Sequence, residues 1–375
     1  MKRRTILLLT LVLVMLAWNL APAQVRLPLA RPEESGMDSS RLALLDRVIA
    51  GALERKDFPG AVLLVIRQGK VVFRKAYGHS QLVPEPAPMK LDMIFDLASL
   101  TKPIATATSI MILVERGELR LWDRVKTYIP EFVPYIEEKG IPGEEVRLFH
   151  LLTHTSGLPP YTDPKEVAAC YGDPCPTEVL VKQIAAIRKE YRPGEKFVYS
   201  CLNYITLAHI IKLVSGQDLA EFSRENIFQP LGMSSTFFNP PPEVRSRCVP
   251  TEVIEGQALR GVVHDPLARL QGGISGNAGL FSTADDLAVF AQMMLNHGVY
   301  RGVRILSPLA VDRMTEIFPH LPARDAPGIV SFTNTRWGDL LNQYIDLADA
   351  HYQLADLDAA RTTYLSAIQL GQRLG

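Results

Sequence analysis

Polar and apolar positions change period several times along this chain, and each change predicts an element. After Asp38-Ser39-Ser40, the residues Leu42, Leu45, Val48 and Ile49 recur at helical spacing, which predicts one helix over residues 38–55. Two runs rich in β-branched residues, 61–66 and 71–77, flank Gln68-Gly69 and read as a hairpin. Residues 104–115 are apolar almost all round (Ile104, Ala105, Ala107, Ile110, Met111, Ile112, Leu113, Val114), the pattern of a buried central helix, with Gly117 as its stop. Further helices are predicted towards residue 192 after a loop at Pro159-Pro160, and over 202–215 ahead of Gly216. Another starts at Thr283-Ala284-Asp285-Asp286, with Thr283 as cap and Asp286 in the first turn. Residues 338–375 carry no strand signal and read as two helices broken near Ala355-Asp356.

The first residues look like an address rather than a fold. Lys2, Arg3 and Arg4 precede an apolar run over residues 6–18, and Ala21-Pro22-Ala23 places small residues where a signal peptidase reads. The run falls short of the ~20 residues of a membrane span. The expectation is a cleaved signal peptide over residues 1–23, the alternative an uncleaved interfacial anchor. A periplasmic or secreted protein follows, with no stable membrane span after cleavage. Lys plus Arg and Asp plus Glu both number 40, so no global charge favours a nucleic-acid partner. Export permits disulfides, and Cys170 and Cys175 could pair across their turn, although spacing alone does not decide it. No Cys/His cluster has zinc spacing, and no metal or cofactor is expected.

Ser-x-x-Lys occurs once, as Ser99-Leu100-Thr101-Lys102, at the mouth of the buried helix and followed by Pro103, a residue tolerated in a first turn. A helix N-terminus favours developing negative charge. Spacing of three puts Lys102 on the face of Ser99. A serine hydroxyl needs a base to become a nucleophile, and a lysine amine serves where burial disfavours its ammonium form.

Ser99 to Lys102, together with Pro193-Gly194-Glu195-Lys196-Phe197-Val198-Tyr199-Ser200, resembles the serine β-lactamase-related family of class C β-lactamases, penicillin-binding DD-peptidases and esterases. Leu151-Leu152-Thr153-His154-Thr155-Ser156-Gly157-Leu158-Pro159 carries the same likeness. So does Gly276-Asn277-Ala278-Gly279-Leu280-Phe281-Ser282-Thr283 after Val263-His264-Asp265-Pro266. The resemblance spans roughly residues 38–330 and implies an α/β, β-lactamase/transpeptidase-like fold. In that fold an antiparallel sheet is flanked by helices beside a mostly helical lobe between about Asp123 and Leu280. It implies that Ser99 forms an acyl-enzyme with an amide, β-lactam, ester or muropeptide, and that Lys102 and Tyr199 share the proton transfer. Cys201 and Asn277 are the candidate substrate-binding residues. His154 is expected to be structural, His264 and Asp265 a satisfied loop pair, and Gly276 and Gly279 glycines that let backbone approach the site.

Two departures from the pattern qualify this. Tyr199-Ser200-Cys201 stands where the family writes Tyr-x-Asn, and a thiol is a weak donor. After Tyr199 no Lys, His or Arg is followed by Thr or Ser and then Gly, so the family's third motif is absent from the sequence. The expected reading is a hydrolase domain over 38–331 with an incomplete sheet. The change of character at Gly338 suggests a gene fusion, a frameshift or a chimeric sequence. The 338–375 hairpin resembles one tetratricopeptide repeat through Leu347, Ala348, Ala360, Tyr364 and Ala367; alternatively it is a plain helical hairpin. A second reading of function is a catalytically impaired homologue that binds a protein partner through this tail.

Overall fold

The computed structural model describes residues 26–316 except Glu255. The expected signal peptide and the helical tail lie outside these residues. The first predicted helix is two: Ser39–Leu42, capped by the Asp38 side chain on the Ser40 amide, and α1 (Leu44–Glu54). The chain breaks at Ala43, which closes the first turn onto Ser39.

The hairpin follows, longer than predicted: β1 (Gly60–Arg67) and β2 (Lys70–Gln81), antiparallel about Gln68-Gly69. Both turn residues have positive φ, 50° and 75°, the backbone that a two-residue hairpin turn requires. β3 (Ala87–Pro88) pairs with β2 in the order β1-β2-β3, and Leu29 of the leader bridges to Val71. Among the described residues β1 has β2 as its only strand partner.

A second, small sheet positions the site. β4 (Phe95–Asp96) and β5 (Phe237–Phe238) both pair antiparallel with β6 (Leu280–Ser282), in the order β4-β6-β5. Each strand is two or three residues long, so this sheet is held by the side chains packed around it.

The apolar run became a continuous helical stretch, wide-turned over Lys102–Ala107 and regular over α2 (Thr108–Glu115). Pro103 lacks an N–H, and the Pro103 carbonyl instead receives the Thr108 hydroxyl at 2.8 Å. Such wide turns are rare and concentrate at functional sites. Ala105, Ala107, Ile110 and Leu113 are fully buried. Against this stretch packs α4 (Cys201–Ser215), and α3 (Thr177–Ala186) packs in turn against α4; Leu180, Ile184, Leu202, Ile205 and Ile211 join the same core. Fully burying one such side chain is worth about 1.5–3 kcal/mol, so this shared core anchors the central helix. α5 (Ala284–Leu295) starts at the predicted Thr283 cap and lies across β1; its Asp285 pairs with Arg74 of β2 and with Arg26. Among the described residues no helix is long and apolar enough to cross a membrane. All four cysteines are free thiols; Cys170 is exposed and Cys175 buried, so the pairing weighed above is not formed.

Lys189 is an unexpected core residue. It is 2% exposed, and among the described residues its ammonium meets the carbonyls of Ile187 (2.9 Å) and Ala185 (3.4 Å) and the face of Phe132 at 3.9 Å. Burial pushes its pKa down to about 7. The folded protein therefore holds fewer protons than the unfolded chain between about pH 7 and the ordinary lysine range, and stability rises with pH across that window. Urea melts at increasing pH should show this slope, at most about 1.4 kcal/mol per unit. Lys189→Met is expected to remove the slope and to stabilise the protein most near neutrality; an unchanged slope would contradict the assignment.

Candidate active site

Ser99 is presented on a kink. A short 3-10 turn, Ala98–Leu100, joins β4 to the central helix, and Ala98 has φ 46°, a left-handed conformation that disfavours any residue with a Cβ. The turn is held from several sides. The Asp96 carboxylate accepts from the Ala98 amide at 2.9 Å, and the Thr101 hydroxyl donates to the Ala98 carbonyl at 2.7 Å. The Leu280 amide donates to Thr101 Oγ1 at 3.1 Å, and the Leu97 amide to the Leu280 carbonyl at 2.9 Å, tying the kink to β6. Ser99 itself is exposed.

One turn on, Lys102 is 2% exposed. Its amine donates to Ser99 Oγ at 3.0 Å and to the main-chain carbonyl of Asn277 at 3.0 Å, and forms no ion pair among the described residues. It lies 4.8 Å from the ring centre of Tyr199 and 5.9 Å from that of Tyr204, within range of the aromatic faces. The Tyr199 hydroxyl donates to Ser99 Oγ at 2.8 Å. The structure thus brings Ser99, Lys102 and Tyr199 together.

Tyr199 is positioned by two segments laid side by side. The Val198 amide donates to the His154 carbonyl, the Gly194 amide to Thr155, the Glu190 amide to Gly157 and the Cys201 amide to Pro160, all at 2.7–2.9 Å. Gly157 has φ 81°, and a Cβ there would sit 2.2 Å from the Tyr191 carbonyl, which explains the glycine. His154 backs the site. Its Nδ1 accepts from the Ser200 amide at 3.1 Å and faces Asn203 Nδ2 at 3.2 Å, and its ring lies 4.6 Å from Tyr199 and 5.1 Å from Tyr204. Burial, reinforced by the charge of Lys102, holds its pKa well below the ordinary imidazole value. It therefore forms a neutral wall.

The other candidates occupy separate places. Cys201 is the first residue of α4 and half-buried. The Asn277 side chain is 1% exposed, with Oδ1 accepting from Ser275 at 2.7 Å and Nδ2 buried without a partner. It faces inward, and what Asn277 gives the site is its main-chain carbonyl. His264 and Asp265 do not pair with each other. Asp265 caps the helix Pro266–Leu270 and accepts from Tyr161, while His264 turns to Asp96. Gly276 allows close contact with α4 and Gly279, with φ 113°, with Gly273. Asp96 was not singled out from sequence; its position three residues before Ser99 was the available signal.

The sequence model described as Beta-lactamase matches residues 45–339. A putative D-alanyl-D-alanine carboxypeptidase of Escherichia coli K12 is 32% identical over 339 residues, covering 84% of this chain and 77% of that protein. An N-acetylmuramyl-L-alanine amidase of Bacillus subtilis is 31% identical over 314 residues, covering 76% and 69%. The octameric penicillin-binding protein homologue from Pyrococcus abyssi superposes with a TM-score of 0.58 at 27% identity, covering 76% of this chain and 62% of that one.

The close approach of residues 275–279 to α4 can be checked directly. A Cβ at Gly276 would lie 1.9 Å from the Tyr204 carbonyl. Gly276→Ala should therefore cost about 1–3 kcal/mol, read as a lowered melting temperature. An unaltered melt would contradict this packing.

Proposed function

The chain belongs to the β-lactamase family, and from that premise we propose that it is a serine hydrolase whose Ser99 forms an acyl-enzyme. The observation that carries this is the position of one exposed hydroxyl oxygen, 3.0 Å from the amine of Lys102 and 2.8 Å from the phenol of Tyr199. A proton leaving Ser99 has two receivers within hydrogen-bond reach, which is the geometry general-base catalysis needs.

The steps balance as acyl transfer to water. Ser99 Oγ forms a bond to the substrate carbonyl carbon while its proton passes to the Lys102–Tyr199 pair. The bond to the leaving amine, alcohol or lactam nitrogen breaks as that proton is delivered to it. Water then repeats the sequence, and the acid leaves. Tyr199 as phenolate beside the Lys102 cation is one distribution of charge across the pair; a neutral amine with a neutral phenol is the other. His154, neutral and sealed, takes no proton in either.

The relatives named for D-alanyl-D-alanine carboxypeptidase and muramyl-L-alanine amidase activity favour a peptidoglycan-type amide as the substrate class. A β-lactam, another muropeptide or an ester fits the same chemistry. Cys201, in the place of the family's asparagine, is a poorer donor to a substrate amide and weights the balance toward esters. Action on peptidoglycan belongs with the periplasmic or secreted location expected from residues 1–23.

A second reading rests on the absence of Lys/His/Arg-Thr/Ser-Gly after Tyr199. In the family that motif supplies an oxyanion donor, and losing one such donor typically costs about 2.7–4 kcal/mol of transition-state stabilisation. On this reading the protein binds an acyl ligand or a partner and turns over poorly.

Mass spectrometry after incubation with a fluorophosphonate or a penicillin separates the two. The folded protein should carry one adduct on Ser99, abolished in Ser99→Ala. Lys102→Ala should slow its formation by about 10²–10⁴-fold. Turnover of nitrocefin or p-nitrophenyl butyrate that vanishes with Ser99→Ala excludes the impaired reading. The absence of an adduct in folded protein overturns the hydrolase.

A further inference from the structure

Asp96 carries a buried carboxylate that the chemistry above does not use. Its side chain is 1% exposed, and no lysine or arginine pairs with it among the described residues. Oδ1 accepts from the Ala98 amide at 2.9 Å. Oδ2 accepts from the His264 amide at 2.8 Å and lies 3.2 Å from His264 Nδ1. A carboxylate this deep is costly unless its lone pairs are met, and here one donor stands two residues from Asp96 and the other 168 residues away. One is the strained residue directly before the proposed nucleophile; the other is the loop that leads into the helix Pro266–Leu270.

We propose that Asp96 is the positioning residue of the nucleophile. Its carboxylate, clamped between the Ala98 amide and His264, holds the left-handed kink that aims Ser99 at Lys102 and Tyr199. The inference rests on Ser99 being the nucleophile. It adds why Ser99 points where it does.

The strain gives the direction of the effect. Ala98 at φ 46° would relax to a right-handed conformation if nothing opposed it. Relaxation turns the peptide that leads into Ser99 and carries Oγ away from the amine. The Asp96 bond fixes the peptide on the near side of the Ala98 φ torsion, and the Thr101 hydroxyl on the Ala98 carbonyl fixes the far side, so the two together hold Ala98 in the left-handed form. His264 keeps the carboxylate in place and is half-exposed, reaching it from the solvent side. Asp96 raises the His264 pKa above its ordinary value against the opposing effect of burial; Asp265 and Glu252 act in the same direction as Asp96. The Arg269 guanidinium, from the helix after Asp265, meets the His264 carbonyl at 3.3 Å and steadies the loop.

The test compares fluorophosphonate labelling of the full chain with that of Asp96→Asn, Ala98→Gly and the double variant. Saturation kinetics separate the binding constant of the probe from the rate of bond formation, and melts are recorded for each protein. Asp96→Asn should lower the bond-forming rate about tenfold or more, the size expected for losing a hydrogen bond to a charged group, with the binding constant unchanged. Ala98→Gly removes the penalty of the kink and should label at the wild-type rate. In the double variant it should restore at least half of the loss on a logarithmic scale. Rescue by a residue that adds no contact distinguishes aiming from bulk stability. If Asp96→Asn lacks a cooperative melt, the double variant and His264→Gln carry the comparison, each expected to label more slowly than wild type.

Wild-type labelling rates in Asp96→Asn overturn the proposal. So does a slowed Asp96→Asn that Ala98→Gly fails to rescue, since Asp96 would then act by some route other than the kink. Wild-type labelling in the folded double variant and in His264→Gln overturns it too, where those two carry the comparison. If the wild-type protein itself acquires no adduct, the failure lies with Ser99 as nucleophile, and the proposal falls with it.

Discussion

A primary amine sealed inside the protein, with no carboxylate partner among the described residues, is the constraint that organises this molecule. Removing a cationic group from water is expensive unless its protons find acceptors. Lys102 finds the Ser99 oxygen, the Asn277 carbonyl and the faces of two tyrosines. Each of these groups is thereby fixed by the need to satisfy the amine, and the proposed nucleophile is among them. Displacing Ser99 removes one of its two hydrogen-bond acceptors and retracting residue 277 removes the other. The arrangement is cooperative in that sense, because no single partner can leave without stranding a buried polar group.

Three stretches of chain far apart in sequence build it, and the fold can be read as the means of joining them. The central helix carries Ser99 and Lys102 on one face. The 153–160 loop is laced by backbone hydrogen bonds to residues 190–201 and so delivers Tyr199. β6 delivers Asn277 from its leading loop, and β6 is paired to the strand from which the nucleophile's kink departs. The small sheet is therefore more than a structural remnant. It sets the spacing between the hydroxyl and the carbonyl that both bind one amine.

Much of this was legible in the chain, and the limits have physical causes. The hairpin was visible because two short strand-like runs flank the two-residue turn Gln68-Gly69, and the central helix because it is apolar on every side. Ser99 and Lys102 were legible because their relation is local, three residues on a helix. Tyr199 required the family pattern, since nothing in its own neighbourhood says which helix it meets. Long-range pairing was not legible. Asp265 adjoins His264 in sequence, yet His264 turns to Asp96 because Asp265 is occupied in capping a helix. Nor does composition announce the φ of Ala98, where a glycine or asparagine is the usual residue. Lys189 reads as a surface residue, and only the carbonyls and the ring around its amine explain its burial. The inward turn of Asn277 is a fourth case. Residue type suggested a side-chain contact to substrate, whereas the main chain makes the contact that matters.

The site also resolves a conflict between access and precision. A nucleophile has to be open to substrate, and the proposed one, Ser99, is exposed; open side chains are mobile, and a misplacement of about 1 Å can cost about 10²-fold in rate. The protein separates the two requirements. Mobility is removed by groups that water hardly reaches: the amine of Lys102, the ring of His154, the carboxylate of Asp96 and the carbonyl of Asn277. Only the oxygen that must react, and the phenol beside it, face outward. Because the restraint comes from behind, substrates of different shape can approach the same oxygen without disturbing what aims it.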